Sequence, residues 1–356
     1  MRELDHQAVE AAVAGGSVLA AGGGGWVDHG YLVGRTAVGY GAPRLATLDE
    51  VADDAMIATV SAIGAPAARD WEMRPADYVR ALRLLIDALG EAPVGTITAQ
   101  NGSSTTCNGW VQSAVLGTLV IDAAGDGRAH PTGKMGSMGL AADPDHQTIQ
   151  AAAGGNREQG RYLEVVTRGP VRHTAEVLRT AAVASGGFIS AARNPLPASY
   201  VREHGAVGAI SFALELGEAM LAAEPEGAAA VIESIADTLG GGIACRGTVR
   251  EKRLRTEGGF DIGGLMVGEL ELGFVNEYMT IESAGERLST FPDVITTLSE
   301  RDGRPVSIAD IRDGDEISVL AVDKSRVPLG AGVKEPSVYP EVEEMLGKPL
   351  AEQALA

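Results

Sequence analysis

The sequence has few cysteines, few aromatic residues and too little positive charge for several classes of protein. Only Cys107 and Cys245 occur in 356 residues, which provides no disulfide framework and no Cys-x-x-Cys pair for zinc or redox chemistry. Lysine and arginine number 29 against 48 acidic residues, and the net charge of −19 argues against a nucleic-acid partner. Aromatic residues make up 4% of the chain, so no stacking platform for single strands is evident.

Long apolar runs are also absent, and none could cross a bilayer. The N-terminal residues Met1 to His6 contain no apolar signal-peptide core, so we expect a cytoplasmic protein without membrane contact. No HxH or HExxH spacing occurs, and we therefore expect neither a metal ion nor another cofactor. The remaining expected partners are a small-molecule substrate and further copies of the chain in a homo-oligomer.

The first half of the chain alternates amphipathic helices with short apolar runs, which is typical of α/β proteins. This order predicts a mostly parallel sheet with helices packed against it. One helix begins after Asp5 and runs out at Gly15-Gly16, and Pro75 and Gly90 bound another. The predicted strands are residues 55–63, 94–99 and the run that begins at 119.

The second half is predicted to form helices followed by a β-rich module. Residues 132–160 are rich in Gly, Ala and Met without periodicity, and we interpret them as a mobile connection. We therefore predict an α/β protein of two domains, an N-terminal α/β sheet domain over 1–160 and a C-terminal α+β domain over 161–345. In the latter we predict helices at 173–185, 207–221 and 228–239, then strands at 262–267, 270–281 and 316–322.

Two polar loops follow neighbouring predicted strands, and ligands of α/β folds bind at such strand tips. We predict that these loops form two walls of one site. The alternative is a charged turn in which Asp122 caps the loop and Arg128 pairs with Asp126. The first loop carries Asn101, Cys107 and Asn108, and the second carries Asp122, Asp126, Arg128 and His130.

Other residues have both a structural and a functional interpretation. A lowered thiol pKa would make Cys107 a nucleophile, whereas an apolar environment would leave it inert. Gly23 and Gly24 lie in a four-glycine run that either lets a ligand approach the backbone or forms a structural turn. Strand alternation puts Asn276 on an apolar face, where its amide needs partners, and turns Glu277 away unless a bulge intervenes. Asp122, Asp126 and His130 would bind a metal only if their loop folded back.

Six motifs occur in a fixed order: Gly22–Gly25, Gly64-Ala65-Pro66, Asp122-x-x-x-Asp126-Gly-Arg128-Ala-x-Pro131, Gly208-Ala-Ile-Ser211, Phe274-Val-Asn276-Glu277 and Pro292–Ile295. Together they resemble the S-methyl thiohydantoin desulfurase family, some members of which are found beside or fused to hydantoinase/oxoprolinase proteins. The resemblance extends from about residue 5 to 340. It implies a two-domain hydrolase that removes sulfur from a five-membered thiohydantoin ring. The chain departs from the pattern at His130, where a phenylalanine is expected, and in the loop from Asn101 to Asn108.

The chemistry of such a ring gives each candidate a role. A nucleophile, either Cys107 or an activated water, would add at the electrophilic C2, and the thiol would leave. Asp122, Asp126 and His130 complete the predicted catalytic set. The predicted substrate-binding residues are Gly23, Gly24, Asn101, Asn108, Arg128, Asn276 and Glu277, with the Arg128 guanidinium on a substrate carboxylate. Two alternatives remain open: a ring-opening amidohydrolase acting on a related hydantoin or lactam, and a non-catalytic accessory subunit of a hydantoinase-type complex.

Overall fold

Two β-sheets organise the chain, and the computed structural model describes all of residues 1–356. The strands of the first sheet are β1 (Arg2–Glu3), β2 (Arg44–Ala46), β3 (Met56–Gly64), β4 (Gly95–Gln100), β5 (Leu119–Asp126), β6 (Gln147–Gly154), β7 (Leu163–Pro170), β8 (Phe188–Pro197) and β9 (Ala206–Val207). Those of the second sheet are β10 (Gly242–Glu257), β11 (Phe260–Val267), β12 (Leu270–Val275), β13 (Glu277–Ser283), β14 (Glu286–Thr290), β15 (Val294–Ser299) and β16 (Glu316–Val322). The predicted α/β class with a sheet-rich C-terminal region is thereby confirmed.

Ten α-helices pack around the two sheets. They are α1 (His6–Leu19), α2 (Val27–Tyr40), α3 (Pro75–Leu89), α4 (Trp110–Leu116), α5 (Val171–Ala184), α6 (Ala198–His204), α7 (Ala209–Ala223), α8 (Ala228–Leu239), α9 (Pro340–Leu346) and α10 (Ala351–Ala354). Helices α3 and α8 have the predicted bounds, because Pro75 starts α3 and left-handed glycines follow both helices, Gly90 at φ 84° and Gly240 at φ 61°.

The first sheet is mixed, so the prediction of a mostly parallel sheet is wrong. Its strand order is β1-β2-β5-β4-β3-β8-β6-β7, and β9 pairs with β5. The strands β2, β5, β4 and β3 run parallel to one another. The other pairings are antiparallel. A short connection joins β6 to β7, and helix α5 leads from β7 to β8 on the other side of β6.

The segment 132–160, predicted to be a mobile connection, contributes strand β6 to this sheet. Its residues Ala151 to Ala153 are fully buried, since β6 lies between β8 and β7. The predicted boundary at residues 160 and 161 falls in the connection from β6 to β7. Strands on both sides of that position therefore share one sheet, and the boundary itself stays a prediction.

Helices cover both faces of the first sheet at strands β3, β8 and β6. Leu82 and Leu85 of α3 pack with Val60 and Ala192 on one face. On the other face, Leu178 of α5 packs with residues such as Ala152 and Ala191. Because both faces are covered, these three strands are buried along most of their length and lack the period-two pattern of a half-exposed strand.

Helices α1 and α7 join the two halves of the chain through close backbone contact. The prediction that α1 runs out at Gly15-Gly16 is wrong, since the helix continues to Leu19. A Cβ on Gly15 would lie 1.9 Å from the carbonyl oxygen of Ala213, and one on Gly217 would lie 1.9 Å from that of Ala11. The glycines therefore permit this contact.

The second sheet is antiparallel throughout, in the order β14-β13-β12-β11-β10-β16-β15. Residues 270–281, predicted to be one strand, instead form the hairpin of β12 and β13. The chain reverses at Asn276, which has a left-handed φ of 57°. The backbone N–H of Tyr278 donates to the carbonyl of Ala21 at 2.8 Å, so the tip of this hairpin contacts the four-glycine run.

We predict that Gly15→Ala lowers the free energy of unfolding by about 1–3 kcal/mol or more, because the added methyl forces α1 and α7 apart. Gly39→Ala is the matched control, since Gly39 also lies in a helix but a Cβ there meets nothing within 4 Å. It should raise stability by about 0.5–1 kcal/mol. Urea denaturation of both variants measures the difference, and equal stability of the two would contradict the packing described.

Candidate functional site

A cavity of about 260 Å³ opens between the first sheet, helix α5 and the tip of the β12–β13 hairpin. The glycine run, the ends of β3 and β4, and the segment 130–134 supply further walls. Residues from both sheets thus line the same cavity. A cavity of this size suits a small ligand rather than a drug-sized or polymeric one.

Five of the residues that line this cavity each carry a buried polar atom without a hydrogen-bond partner in the protein. Buried polar groups are almost always paired, so such atoms mark a place where a ligand is expected to supply the partner. None of the other three main cavities is lined by a residue with such an atom. The atoms are Ser61 Oγ, Thr105 Oγ1, His130 Nδ1, Arg193 Nε and Glu277 Oε2.

Glu277 places a buried carboxyl group in the cavity wall, with 3% of the residue exposed. Burial raises the pKa of Glu277 to about 8, although Arg128 and the amide of Gly24 act in the opposite direction. The carboxyl is therefore mainly protonated at neutral pH. Gly23 makes room for it, since a Cβ there would lie 2.5 Å from Glu277 Oε1.

The turn at Asn276 determines where Glu277 points. The side-chain oxygen of Asn276 accepts a hydrogen bond from the backbone N–H of Asp261 at 2.9 Å, and the backbone N–H of Asn276 donates to the carbonyl of Asp261 at 2.7 Å. Asn276 does not continue the apolar face of a strand, as the alternation predicted, because the chain reverses there. It lines the cavity together with Glu277, so the structure brings these two predicted residues together.

His130 lines the cavity as a neutral imidazole. Burial lowers the pKa of His130 to about 3. Its Nε2 lies 3.3 Å from the carbonyl oxygen of Ala99, which can only accept, so we assign the ring proton to Nε2. The unpartnered Nδ1 is then an acceptor available to a ligand.

Three cations line the cavity, and two of them have partners in the protein. Lys134 Nζ lies 2.7 Å from Glu341 and 3.7 Å from Glu176. Arg179 donates to the carbonyls of Gly64, Gly259 and Pro131 at 2.9–3.1 Å. Arg193 is 4% exposed and forms neither an ion pair nor a hydrogen bond to a carboxylate, and its Nε has no partner.

Cys107 does not line the cavity, and the two-wall prediction is wrong for this residue. The thiol is fully buried in a hydrophobic cluster with Val9, Val33 and Trp110. Burial raises the pKa of Cys107 to about 12, the opposite of what a nucleophilic thiol requires. The inert interpretation of this cysteine therefore fits the structure.

Asp122 and Asp126 lie outside the cavity and connect elements of the fold. Asp122 accepts from the backbone N–H groups of Ile210 at 3.1 Å and Ser211 at 2.9 Å, and from the Ser211 hydroxyl at 2.6 Å, at the start of α7. Asp126 accepts from the N–H of Gly330 at 3.1 Å, and burial raises the pKa of Asp126 to about 7. The structure therefore corrects their assignment to the cavity chemistry.

No group of three His, Cys, Asp or Glu side chains is arranged to hold a metal ion, so the set Asp122, Asp126 and His130 is not assembled.

Arg128 is fully buried, and its guanidinium contacts the protein rather than the cavity. It donates to the carbonyls of Ala129 at 2.8 Å and Tyr278 at 3.4 Å, and also to that of Asp293. The guanidinium carbon lies 4.7 Å from the centre of the Phe291 ring. The predicted role of Arg128 on a substrate carboxylate is thus wrong, because its donors are already engaged in joining the two sheets.

The two asparagines of the first loop also lie away from the cavity. Asn101 Nδ2 donates to the carbonyls of Gly127 at 3.1 Å and Ala209 at 2.8 Å. Asn108 is buried, and its side-chain amide has no hydrogen-bond partner in the protein. Of the predicted site residues, only Gly24, His130, Asn276 and Glu277 line the cavity, and Gly23 lies directly behind Glu277.

The sequence prediction missed Ser61, Thr105 and Arg193. Arg193 follows the mainly apolar run 188–192, which no prediction assigned to a strand. A single arginine within a buried run was the available signal, because an isolated charge is rarely placed in a sheet interior without a function or a partner.

Comparison with known proteins now identifies the chain. Models of the S-Me-THD-like N-terminal and C-terminal domains match residues 7–159 and 170–328. The chain belongs to the S-Me-THD-like family. The resemblance seen in the motifs is therefore confirmed, and the function is thiohydantoin-related at the level of the family.

A solved structure shares the fold of this S-Me-THD-like protein. The crystal structure of a protein from Chromobacterium violaceum superposes with a TM-score of 0.72 at 22% identity and covers 97% of each chain. No protein of curated function matches the sequence. No helix is sufficiently long and apolar to cross a membrane.

We predict that Arg128→Lys lowers the free energy of unfolding by about 1.5–3 kcal/mol for each charge-assisted bond lost. Lysine keeps the charge but cannot reach three carbonyls with one planar group. Arg250→Lys is the control, because Arg250 lies in an exposed basic cluster and its replacement should change stability by less than about 0.5 kcal/mol. Guanidinium denaturation of both variants tests this, and matching midpoints would show that the Arg128 contacts contribute nothing.

We also predict that the Cys107 thiol is unreactive in the folded protein. In the Cys245→Ser variant, a disulfide reagent that releases a chromophore should detect no thiol under native conditions and one thiol in denaturant. The wild type provides the comparison, since Cys245 is partly exposed. Rapid native labelling of the variant would place Cys107 at the surface or in an open cavity, contrary to its burial.

Proposed function

We propose that this cavity catalyses hydrolytic removal of sulfur from C2 of a thiohydantoin or S-methyl thiohydantoin ring. Membership of the S-Me-THD-like family supports a thiohydantoin ring as the substrate, and the name of the family suggests an enzyme. The observation that carries the proposal is the buried, protonated carboxyl of Glu277 in a small cavity lined with unpartnered polar atoms. A neutral acid beside a basic ring nitrogen is what such a hydrolysis requires.

The acid form of Glu277 fits the first step with an S-methyl substrate. Its proton passes to the ring nitrogen that is double-bonded to C2, which makes C2 more electrophilic. Water then adds to C2 and gives a proton to the resulting carboxylate. This step forms the C–O bond and regenerates the acid, so Glu277 serves first as general acid and then as general base.

Collapse of the tetrahedral centre completes the exchange. The C2–S bond breaks, Glu277 protonates the departing sulfur, and the hydroxyl on C2 returns a proton to Glu277 as the carbonyl forms. One water is consumed, and methanethiol and a hydantoin are produced. An unmethylated thiohydantoin would release hydrogen sulfide in its place. No electron donor or acceptor is needed.

The neutral groups of the cavity orient the ring in this proposal. His130 Nδ1 accepts a hydrogen bond from a ring N–H, because its proton is on Nε2. The hydroxyls of Ser61 and Thr105 have no partner in the protein and would donate to the carbonyl oxygen on C4 of the ring. Because the three residues are buried, each of these contacts is stronger than it would be in solution.

A substrate panel tests the reaction class. Purified protein should release thiol from S-methyl thiohydantoins, with mass spectrometry showing the intact hydantoin ring as product. Ring opening of hydantoins without thiol release would instead establish an amidohydrolase. No turnover of any member, together with a stable complex with a hydantoinase-type protein, would favour the accessory subunit.

We predict that Glu277→Gln lowers kcat/KM for thiol release roughly 10²–10⁴-fold, since glutamine cannot transfer the proton. Wild-type kcat/KM should be flat at neutral pH and fall above a pH of about 8, where Glu277 loses its proton, whereas the variant should lack this step. Glu269→Gln, at an exposed position, is the control and should behave as wild type. An activity that instead rises through pH 8 would mean that the ionised carboxylate is the active form.

A further inference from the structure

Arg193 is the one cation of the cavity whose charge the protein leaves uncompensated. Lys134 is paired with two glutamates at the rim, and Arg179 donates to three backbone carbonyls. The Arg179 guanidinium also lies 4.3 Å from the centre of the Phe260 ring. Arg193 has none of these partners, although it is more deeply buried than Arg179.

The surroundings of Arg193 oppose its charge. Burial lowers the pKa of Arg193 to about 10, and the positive charge of Arg179 acts in the same direction. A buried ion without a counter-ion is costly, so proteins rarely keep one unless a ligand or metal site requires it. The guanidinium remains charged at neutral pH, and an anion entering the cavity would relieve both unfavourable effects.

Local geometry leaves the guanidinium accessible to the cavity. Arg193 projects from strand β8, where it pairs with Gln150 of β6 and Thr59 of β3, so its backbone is fixed from both sides. Gly133 lies against the guanidinium, and a Cβ there would be 2.6 Å from Arg193 Nη1. Both residues line the cavity, and glycine at 133 therefore keeps the end of the side chain uncovered.

We propose that Arg193 binds a carboxylate carried by the substrate, so that this enzyme acts on thiohydantoins with a short acidic substituent. The proposal rests on the proposed function for the ring chemistry and adds the substituent. A planar guanidinium matches a carboxylate through two parallel hydrogen bonds. The 260 Å³ cavity limits the substituent to a few atoms beyond the ring.

Other charges of the cavity are compatible with an anion. Glu277 is mainly protonated at neutral pH, so it does not repel a carboxylate. Glu176 and Glu341 are both held by Lys134 at the rim. The neutral His130 adds no charge of either sign. Arg193 therefore provides the main electrostatic selection for a substrate in the interior.

The test compares an S-methyl thiohydantoin bearing a carboxymethyl group at C5 with its neutral carboxamide. Wild-type protein should prefer the acid in kcat/KM by roughly ten- to a hundredfold, since a charge-assisted bond pair is lost in the amide. Arg193→Gln should bring this preference close to one, and Arg193→Lys should keep part of it. Arg83→Gln, at an exposed helix position, should leave the preference unchanged.

The preference is a ratio within each variant, so a general loss of stability does not imitate the result. If wild type treats acid and amide alike, or if Arg193→Gln keeps the full preference, the carboxylate assignment is overturned. Equal losses on both substrates in Arg193→Gln would also overturn it, because Arg193 would then contact the ring.

A binding measurement separates this inference from the proposed function. Calorimetry with hydantoin-5-acetic acid requires no turnover, and its binding should weaken roughly ten- to a hundredfold in Arg193→Gln. That result without any thiol release would support the anion site and overturn the desulfurase proposal. Thiol release without acid preference, and without this loss of binding, would support the desulfurase and overturn the anion site.

Discussion

The site depends on one backbone feature, the left-handed turn at Asn276. It reverses the chain between β12 and β13 and turns the Glu277 carboxyl into the seam between the two sheets. The backbone of Asp261 holds the turn from one side, and the carbonyl of Ala21 binds the next N–H from the other. A residue in this conformation is strained unless its surroundings fix it, and asparagine tolerates it better than most residues. The strained backbone conformation of Asn276 therefore lies directly before Glu277, the residue that carries the acidic group.

The charged motif that first marked the site instead connects the parts of the fold. Asp122 joins β5 to the start of α7, where the motif Gly208–Ser211 lies. Arg128 joins the same strand end to the second sheet through backbone carbonyls. A family motif therefore need not touch a ligand. Here Asp122, Asp126 and Arg128 hold the strand ends, the hairpin and the helix in one arrangement, whereas residues of other motifs, such as Asn276 and Glu277, line the cavity.

Sequence patterns predicted those elements whose own residues determine them. Helices α3 and α8 have strong apolar stripes and explicit end signals, and both were located at their bounds. Strand β6 was missed because packing on both faces selects small residues such as Ala151 to Ala153 over a period-two pattern. Cys107 was placed in the site because a polar loop surrounds it, yet the loop folds so that the thiol joins the core. Arg193 belongs to a strand that was not predicted, and its relation to the cavity follows from the order of strands in the sheet.

The charge of the whole chain and the charge inside the cavity have opposite signs. The net charge of −19 repels an anion at a distance, but salt screens such repulsion within about 8 Å at physiological ionic strength. At the end of its path an anion meets Arg193, whose charge is neither screened by solvent nor cancelled by a neighbour. Local desolvated charge therefore determines which ligand is retained, whereas the net charge affects mainly solubility and approach. An acidic surface and an anion-binding interior are compatible, because the repulsion by the net charge acts at long range and is screened by salt, whereas the attraction by Arg193 acts at contact distance.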